Sequence, residues 1–293
     1  MTRSGFVALA GRPNVGKSTL VNLVVGEKVA IVSDRAQTTR RAIRGVHRSG
    51  DCEIVLVDLP GVQRPRDALT SRMAARVRRE LAQADAALLL LDGEQGVGPG
   101  DRHIAKTLGG ADVPVVVAVN KVDRLSKAST AAALLAAAEL CPGSEVFPVS
   151  ARTAAGVDDL VGHLGEMLPE GPFMFEPGAV SDQPLALRLA ELVREAVIRR
   201  TFQELPHAVE VVVEDIERLR DDLTRVRALI WVESESQKAI VIGAGGRMVK
   251  SIGTAARREL ERELQEQIHL DLSVRVRRGW RADEALLDRL GIS

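Results

Sequence analysis

The chain has 293 residues, of which 45% are hydrophobic and 27% charged, with a formal net charge of zero, as expected of a soluble globular protein of about two domains. There is no apolar run of about 18 residues to span a membrane, and the N-terminus lacks a signal-peptide pattern. Cys52 and Cys141 make neither a disulfide framework nor a metal cluster and read as reduced packing residues of a cytoplasmic protein. With five Phe, two Trp and no Tyr, the core must be aliphatic. Residues 1–172 hold 21 Lys and Arg against 19 Asp and Glu, and residues 173–293 hold 19 against 21, so any nucleic-acid surface has to be local.

Residues 6–10, FVALA, predict a short buried strand. Next come Gly11, Arg12, Pro13, Asn14, Val15, Gly16, Lys17, Ser18 and Thr19, and then the helix-like LVNLVVG. Gly11 to Ser18 fits G-x-x-x-x-G-K-[ST], in which backbone N–H groups cradle phosphates, the lysine adds a point charge and the hydroxyl reaches Mg²⁺. Gln37-Thr38-Thr39-Arg40 lies in a polar, basic segment without periodicity. A threonine there can complete the Mg²⁺ shell only when a γ-phosphate is present, which makes the segment a switch.

A second strand, Ile54–Val57, ends in Asp58-Leu59-Pro60-Gly61. The carboxylate there can hold Mg²⁺ through water, and the Gly61 N–H can face the γ-phosphate. Val62 follows; valine cannot orient a water, and Gln63 stands one step beyond. Slow intrinsic hydrolysis is therefore expected, its barrier lowered mainly by Mg²⁺ and Lys17. A third strand, Ala86–Leu91, ends in Asp92-Gly93, a fourth, Val115–Val119, in Asn120-Lys121-Val122-Asp123, and a fifth, Val146–Val149, in Ser150-Ala151. Helical stretches such as Ser71–Gln83 and Ala128–Leu140 separate them. The alternation predicts an α/β domain with a mostly parallel sheet, helices on both faces and its ligand at the carboxyl ends of the strands. The Asp123 carboxylate can accept two N–H bonds from guanine N1 and N2, a pair that adenine cannot donate. Lys121 would lie along the base, and Ser150-Ala151 would reach O6 through the backbone.

Residues 171–184 contain Pro172, Pro177 and Pro184 and are the predicted linker. Beyond it a helix is expected over 185–202, strands at 208–216 and 226–233, a long charged helix at 248–267 and a last strand at 268–276. Between them, Gly243-Ala244-Gly245-Gly246 fits G-x-x-G flanked by helices, the form of a clamp on about four single-stranded nucleotides. This stretch lacks G-K-[ST], and Met248 stands where a dinucleotide motif needs glycine. From Ser236 to Arg258 there are five basic residues (Lys238, Arg247, Lys250, Arg257, Arg258) and no acidic ones, so phosphate contacts can concentrate there. Ile242, Met248 and Ile252 would form an apolar floor for bases. Trp280 and Arg281 have two readings, an RNA contact or simple packing.

GRPNVGKST, QTTR, DLPG, NKVD and SA, followed by SQKAIVIGAGGRMVKSIGTAAR, make residues 4–285 resemble the bacterial Era family of GTPases. The resemblance implies a Ras-like P-loop GTPase domain over 1–170, a linker over 171–184, a smaller α+β type II KH domain over 185–280 and a tail over 281–293. It implies binding of GTP and GDP, GTP hydrolysis, and binding of the 3′ end of 16S ribosomal RNA. It also implies a part in 16S rRNA processing and 30S ribosomal subunit biogenesis, by a monomer in the cytoplasm with peripheral contact at the inner face of the cell membrane. By matching positions, Asn14, Gly16, Lys17 and Ser18 are implied phosphate contacts, and Asn120, Lys121 and Asp123 guanine contacts. Ser18 and Thr39, with Asp58, are implied around Mg²⁺, and Lys17, Thr39 and Gly61 in catalysis. Relatives with asparagine at the Asn14 position use K⁺ as an activating ion, so Asn14 is an implied K⁺ ligand. Lys238, Gly243, Ala244, Gly245, Gly246, Arg247, Lys250 and Arg257 are the implied RNA contacts. There are two departures: Leu59 replaces the polar residue of the family's DTPG, and no basic residue stands between the KH-loop glycines.

The residues leave two other classes open. One is an RNA-modification or translation-factor enzyme on the same GTPase core; the C-terminal half has no cysteine or other catalytic group to support it. The other is an RNA-binding module whose nucleotide site is structural.

Overall fold

The computed structural model describes residues 1–32, 39–61, 67–202 and 205–292. They form two compact units, the first holding residues 1–32 and 39–182, the second residues 183–291.

In the first unit the chain runs β1 (Arg3–Ala10), α1 (Lys17–Val25), β2 (Ile43–Ser49), β3 (Cys52–Asp58), α2 (Ala68–Gln83), β4 (Ala86–Asp92), α3 (Pro99–Gly109), β5 (Val115–Asn120), α4 (Lys127–Leu140), β6 (Val146–Pro148) and α5 (Val157–Met167). The strands join one sheet in the order β2-β3-β1-β4-β5-β6, parallel except for β2 against β3. Side chains alternate across the sheet. Val7, Leu9, Leu88 and Leu90 pack under Leu20, Val21, Leu160 and Leu164 on one face. Ala8, Ala10, Leu89 and Leu91 pack under Val77, Leu81, Ile104 and Leu108 on the other. The continuous apolar runs therefore mean strands buried on both faces, and every residue of β4 is buried. Each fully buried Leu or Val adds about 1.5–3 kcal/mol of transfer free energy.

The edge strand β2 has no counterpart among the expected strands. Its sequence, IRGVHRS, intersperses arginines and a histidine among few apolar residues, a composition that protects an exposed edge from unwanted pairing. Here the edge is covered by the linker. Val46 N–H donates to Val180 O (2.9 Å) and Arg44 pairs with Asp182 (3.1 Å). The Arg48 guanidinium lies over the Phe173 ring (4.2 Å) and donates to Phe175 O (2.7 Å). It also pairs with the buried carboxylate of Glu53, which accepts from Ser4 Oγ (3.0 Å) and Met174 N (2.6 Å). Residues 173–182 are thus strapped to β2 and β3.

The second unit runs α6 (Leu185–Ile198), α7 (Leu205–Ala208), β7 (Glu210–Arg220), β8 (Leu223–Val232), α8 (Glu235–Ile242), α9 (Arg247–Leu264), β9 (Gln267–Val276) and α10 (Glu284–Arg289). Its sheet has the order β7-β8-β9, with β7 antiparallel and β9 parallel to the central strand. Leu189, Val193 and Val197 of α6 pack with Val226 and Ile230 of β8 and Ile252, Ala256 and Leu260 of α9. The long charged helix ends at Leu264 rather than at 267, because Gln265 turns to φ 55° and Gln267 already pairs in β9. Residues expected in a tail form α10, capped by the Asp283 side chain on Leu286 N–H, with Leu286 and Leu287 buried. Trp280 is fully buried and donates from Nε1 to Ala208 O (3.0 Å), which decides for packing over an RNA contact.

Glu53→Ala should lower the unfolding free energy of the first unit by about 2 kcal/mol, since Ser4, Arg48 and Met174 each lose an acceptor. It should also speed chymotryptic cleavage at Phe173 and Phe175. Urea unfolding and limited proteolysis that match the wild-type chain would refute the strap.

Candidate functional site

The carboxyl ends of β1, β3, β4, β5 and β6 bring the sequence motifs to one edge of the sheet. Gly16 closes the phosphate loop at φ 104° and opens α1 with no side-chain cap, so the first N–H groups of that helix are left for an anion. A Cβ on Gly16 would lie 2.3 Å from Asn120 Nδ2, so only glycine fits. Asn14 is exposed at φ 65°, and the left-handed residues turn successive N–H groups inward as a nest. Lys17 is buried, and its Nζ donates to Gly11 O and Arg12 O (both 3.1 Å). Burial pushes its pKa down, and the facing Asp58 carboxylate opposes that.

Ser18 Oγ donates to Asp58 Oδ2 (2.6 Å), Thr39 Oγ1 donates to the same oxygen (3.2 Å), and the two hydroxyls stand 3.4 Å apart. Burial raises the Asp58 pKa, against Lys17 and the two hydroxyl hydrogen bonds. Its second oxygen, Oδ1, is buried and has no hydrogen bond among the described residues. Two hydroxyls and a carboxylate with spare acceptor capacity suit a hard cation such as Mg²⁺, which binds few carboxylates and keeps its waters.

Asn120, expected at the base, joins two loops. Its Nδ2 donates to Val15 O (2.7 Å), and its Oδ1 accepts from Ala151 N–H (2.9 Å). The Ala151 N–H expected at guanine O6 is thus engaged by Asn120. Lys121 sits at φ 69° and its Nζ reaches Asp92 Oδ2 (2.6 Å). The Ser150 hydroxyl donates to Asp123 Oδ1 (2.7 Å), and Arg152 lies 3.0 Å from its other oxygen. That hydrogen bond, with Arg152 and Arg124, holds the Asp123 pKa below the usual carboxylate range. The carboxylate therefore stays ionised, as an acceptor of two N–H groups must be.

The Arg12 side chain turns from the loop toward Asp101 (2.9 Å). Leu59 is fully buried in the core, so the departure from a polar residue serves packing. Gly61 lies against Pro13, where an added Cβ would stand 3.2 Å from the proline ring. Pro13 is exposed, Val15 buried, Thr19 and Val122 half-buried, and Pro60 buried beside Asp58. Gln37, Thr38, Val62 and Gln63 lie outside the described residues.

In the second unit, Gly243 (φ 72°), Gly245 (φ 60°) and Gly246 (φ 75°) form the turn between α8 and α9. Arg247, Lys250 and Arg257 are exposed and Lys238 half-buried. Arg247 Nε donates to Ala244 O (3.2 Å), tying that side chain to the loop. Ile252 is fully buried in the core and cannot form a floor for bases. Ile240, 55% exposed one turn before the glycines, is the apolar residue presented there; the uniformly apolar run IVI gives no sign of which of its residues faces out.

A family model described as 50S ribosome-binding GTPase matches residues 6–121, and a KH domain model matches residues 204–281. The chain is 45% identical to the GTPase Era of Mycobacterium tuberculosis over 294 residues, covering 98% of each. It is 45% identical to that of Mycobacterium avium over 295 residues, 99% of this chain and 98% of the other. A crystal structure of Era in complex with MgGDPNP and nucleotides 1506–1542 of 16S ribosomal RNA superposes with a TM-score of 0.96 at 33% identity. One of Aquifex aeolicus Era bound to GDP and AlF4⁻ gives 0.95 at 33%, and both cover each chain completely.

Asn120→Ala leaves Val15 O and Ala151 N–H without their partner, a loss of about 3 kcal/mol that should lower Tm by roughly 6–12 °C. Scanning calorimetry without nucleotide checks it; an unchanged Tm would remove Asn120 as the tie between the loops.

Proposed function

The chain belongs to the family of GTPase Era, and from that premise we propose that it is a guanine-nucleotide switch whose KH unit binds the 3′ region of 16S ribosomal RNA, assisting 16S rRNA processing and 30S subunit biogenesis. The observation that carries this reading is the meeting of Ser18, Thr39 and Asp58. It joins the phosphate loop, the segment expected to switch and the end of β3 around one carboxylate oxygen.

GTP is placed by the nest of N–H groups at the start of α1, by Lys17 on the β/γ-phosphate oxygens, and by Asp123 on guanine. Mg²⁺, when bound, neutralises charge that develops on the phosphates. Ser18 and Thr39 offer it hydroxyls, and Asp58 holds its water. Thr39 joins this set only while its segment is drawn in, and departure of the γ-phosphate removes the hold. Gly61 N–H and Lys17 stabilise the transferring group. Hydrolysis is slow in this reading, because valine at 62 cannot orient the attacking water; Asn14 would hold a K⁺, which would supply positive charge at the phosphates.

The RNA part rests on the left-handed glycines between α8 and α9, the exposed basic residues beside them, and the 16S fragment held by the related Era. The chain acts as a monomer in the cytoplasm. Among the described residues no helix is long and apolar enough to cross a membrane, so any membrane contact in this reading is peripheral.

Crosslinking the chain to cellular RNA and sequencing what is held tests the partner: enrichment of the 3′ end of 16S rRNA is expected, and recovery without it overturns the assignment. Lys17→Ala should weaken GTP binding more than about 100-fold, the loss of a charged partner worth about 3 kcal/mol, while RNA affinity stays. Gly246→Asp should do the reverse, abolishing RNA binding with hydrolysis unchanged. Paired nucleotide and RNA titrations separate the two, and a variant that loses both or neither contradicts the division of labour.

A further inference from the structure

Arg12 and Lys121 belong to different motifs, one in the phosphate loop and one at the base, yet a single turn after β4 holds both. Lys121 Nζ lies 2.6 Å from Asp92 Oδ2. The Gln95 amide nitrogen donates to that same oxygen (3.1 Å), and the Gln95 amide oxygen accepts from Arg12 Nη1 (3.3 Å). Arg12 is gripped from its other side by Gly96 O (3.0 Å) and by the fully buried Asp101 at the start of α3 (2.9 Å). Asp92, itself almost fully buried, shapes the turn by accepting the Glu94 and Gln95 N–H groups on Oδ1 (2.9 and 3.2 Å). An unbroken chain of hydrogen bonds thus runs from Lys121 to the Arg12 guanidinium. The Arg12 and Gly11 carbonyls hold Lys17 Nζ.

We infer that Gln95 is a positioning residue that couples guanine recognition to the phosphate loop, with Asp92 orienting Lys121 and Asp101 orienting Arg12. This rests on the guanine-nucleotide reading of the site. The physical basis is mutual restraint. Lys121 carries a long flexible side chain that would lose rotamer freedom when nucleotide binds, and the same turn fixes Arg12, whose carbonyl holds Lys17. Linked through Gln95, the two are ordered together beforehand, so the base end of the ligand meets a phosphate loop already in place. The Gln95 side chain is exposed, so its removal leaves the core intact and the effect is one of coupling.

The test uses the full chain and a fluorescent GDP analogue. The wild-type chain must first bind GDP; failure there overturns the guanine-nucleotide reading itself, before the coupling is in question. Gln95→Ala should raise the GDP Kd by about threefold to tenfold, the range of coupling between contacting residues discounted for solvent exposure. In single turnovers KM for GTP should rise with it while kcat stays, because the Ser18–Thr39–Asp58 group is untouched. Arg12→Ala and Asp92→Asn together should cost less than the product of their separate effects, and in a Gln95→Ala background the two should multiply. A GDP Kd unchanged by Gln95→Ala, or effects that multiply in both backgrounds, overturns the coupling. Should Asp92→Asn fail to fold, Arg12→Ala with Gln95→Ala carries the same cycle: joint effects below the product support the link, and simple multiplication refutes it.

Discussion

At the centre of the nucleotide site two opposite charges are buried within electrostatic reach of each other, the Lys17 ammonium and the Asp58 carboxylate. Either alone in that position would cost several kcal/mol. Burial pushes their pKa values in opposite directions, and each restrains the other. The sheet brings the two near each other. β1 and β3 are parallel neighbours in a register that sets Leu9 beside Asp58, so the loop that leaves β1 passes directly over the carboxylate. The pair remains incomplete by itself. Lys17 draws on two loop carbonyls, and one Asp58 oxygen is left without a hydrogen bond among the described residues. A site built this way has charge to spare for phosphate on one side and for a cation on the other.

From that centre outward the loops are braced by one another. Asn120 ties the phosphate loop to the loop after β6, and the packing that forbids any side chain at Gly16 is the packing of that same amide. Such cross-bracing is what preorganisation requires, since donors that are already aimed lose little freedom on binding. Asn120 acts through two backbone groups, and Leu59 through the core under β3.

The alternating strands and the polar residue at each strand end could be read from the chain because each motif joins a buried apolar run to a loop with a special chemical demand. What could not be read was what depends on partners distant in sequence. β2 has two arginines and a histidine among its seven residues and gains its order from β3 on one side and the linker on the other. The prolines at 172, 177 and 184 marked a linker; the straps that hold it, from Arg44, Arg48 and Glu53, come from over a hundred residues away. Ile252 looked available for an RNA surface because it follows the glycines closely, but one turn of α9 carries it to the core face. The α10 helix does carry a signal, with Asp283 as its cap and Leu286 and Leu287 as its buried face, but it is too short for a helical period to stand out.

The two glycine-rich loops show how one residue type answers two different constraints. In the phosphate loop glycine is imposed by neighbours: a Cβ at Gly11 would lie 2.6 Å from Leu90 O, and one at Gly16 would strike Asn120. Between α8 and α9 a Cβ on Gly245 or Gly246 would meet nothing within 4 Å, and only the left-handed backbone calls for glycine. The first loop is therefore closed by its own protein and shaped for a compact ligand. The second leaves its backbone bare on an open surface, which suits an extended strand whose own backbone must come close. With no basic side chain between those glycines, the charge for a polyanion has to come from the next turn. The Arg247 side chain folds back to Ala244 O and Lys250 follows on the exposed face, which puts positive charge beside the bare turn without filling it.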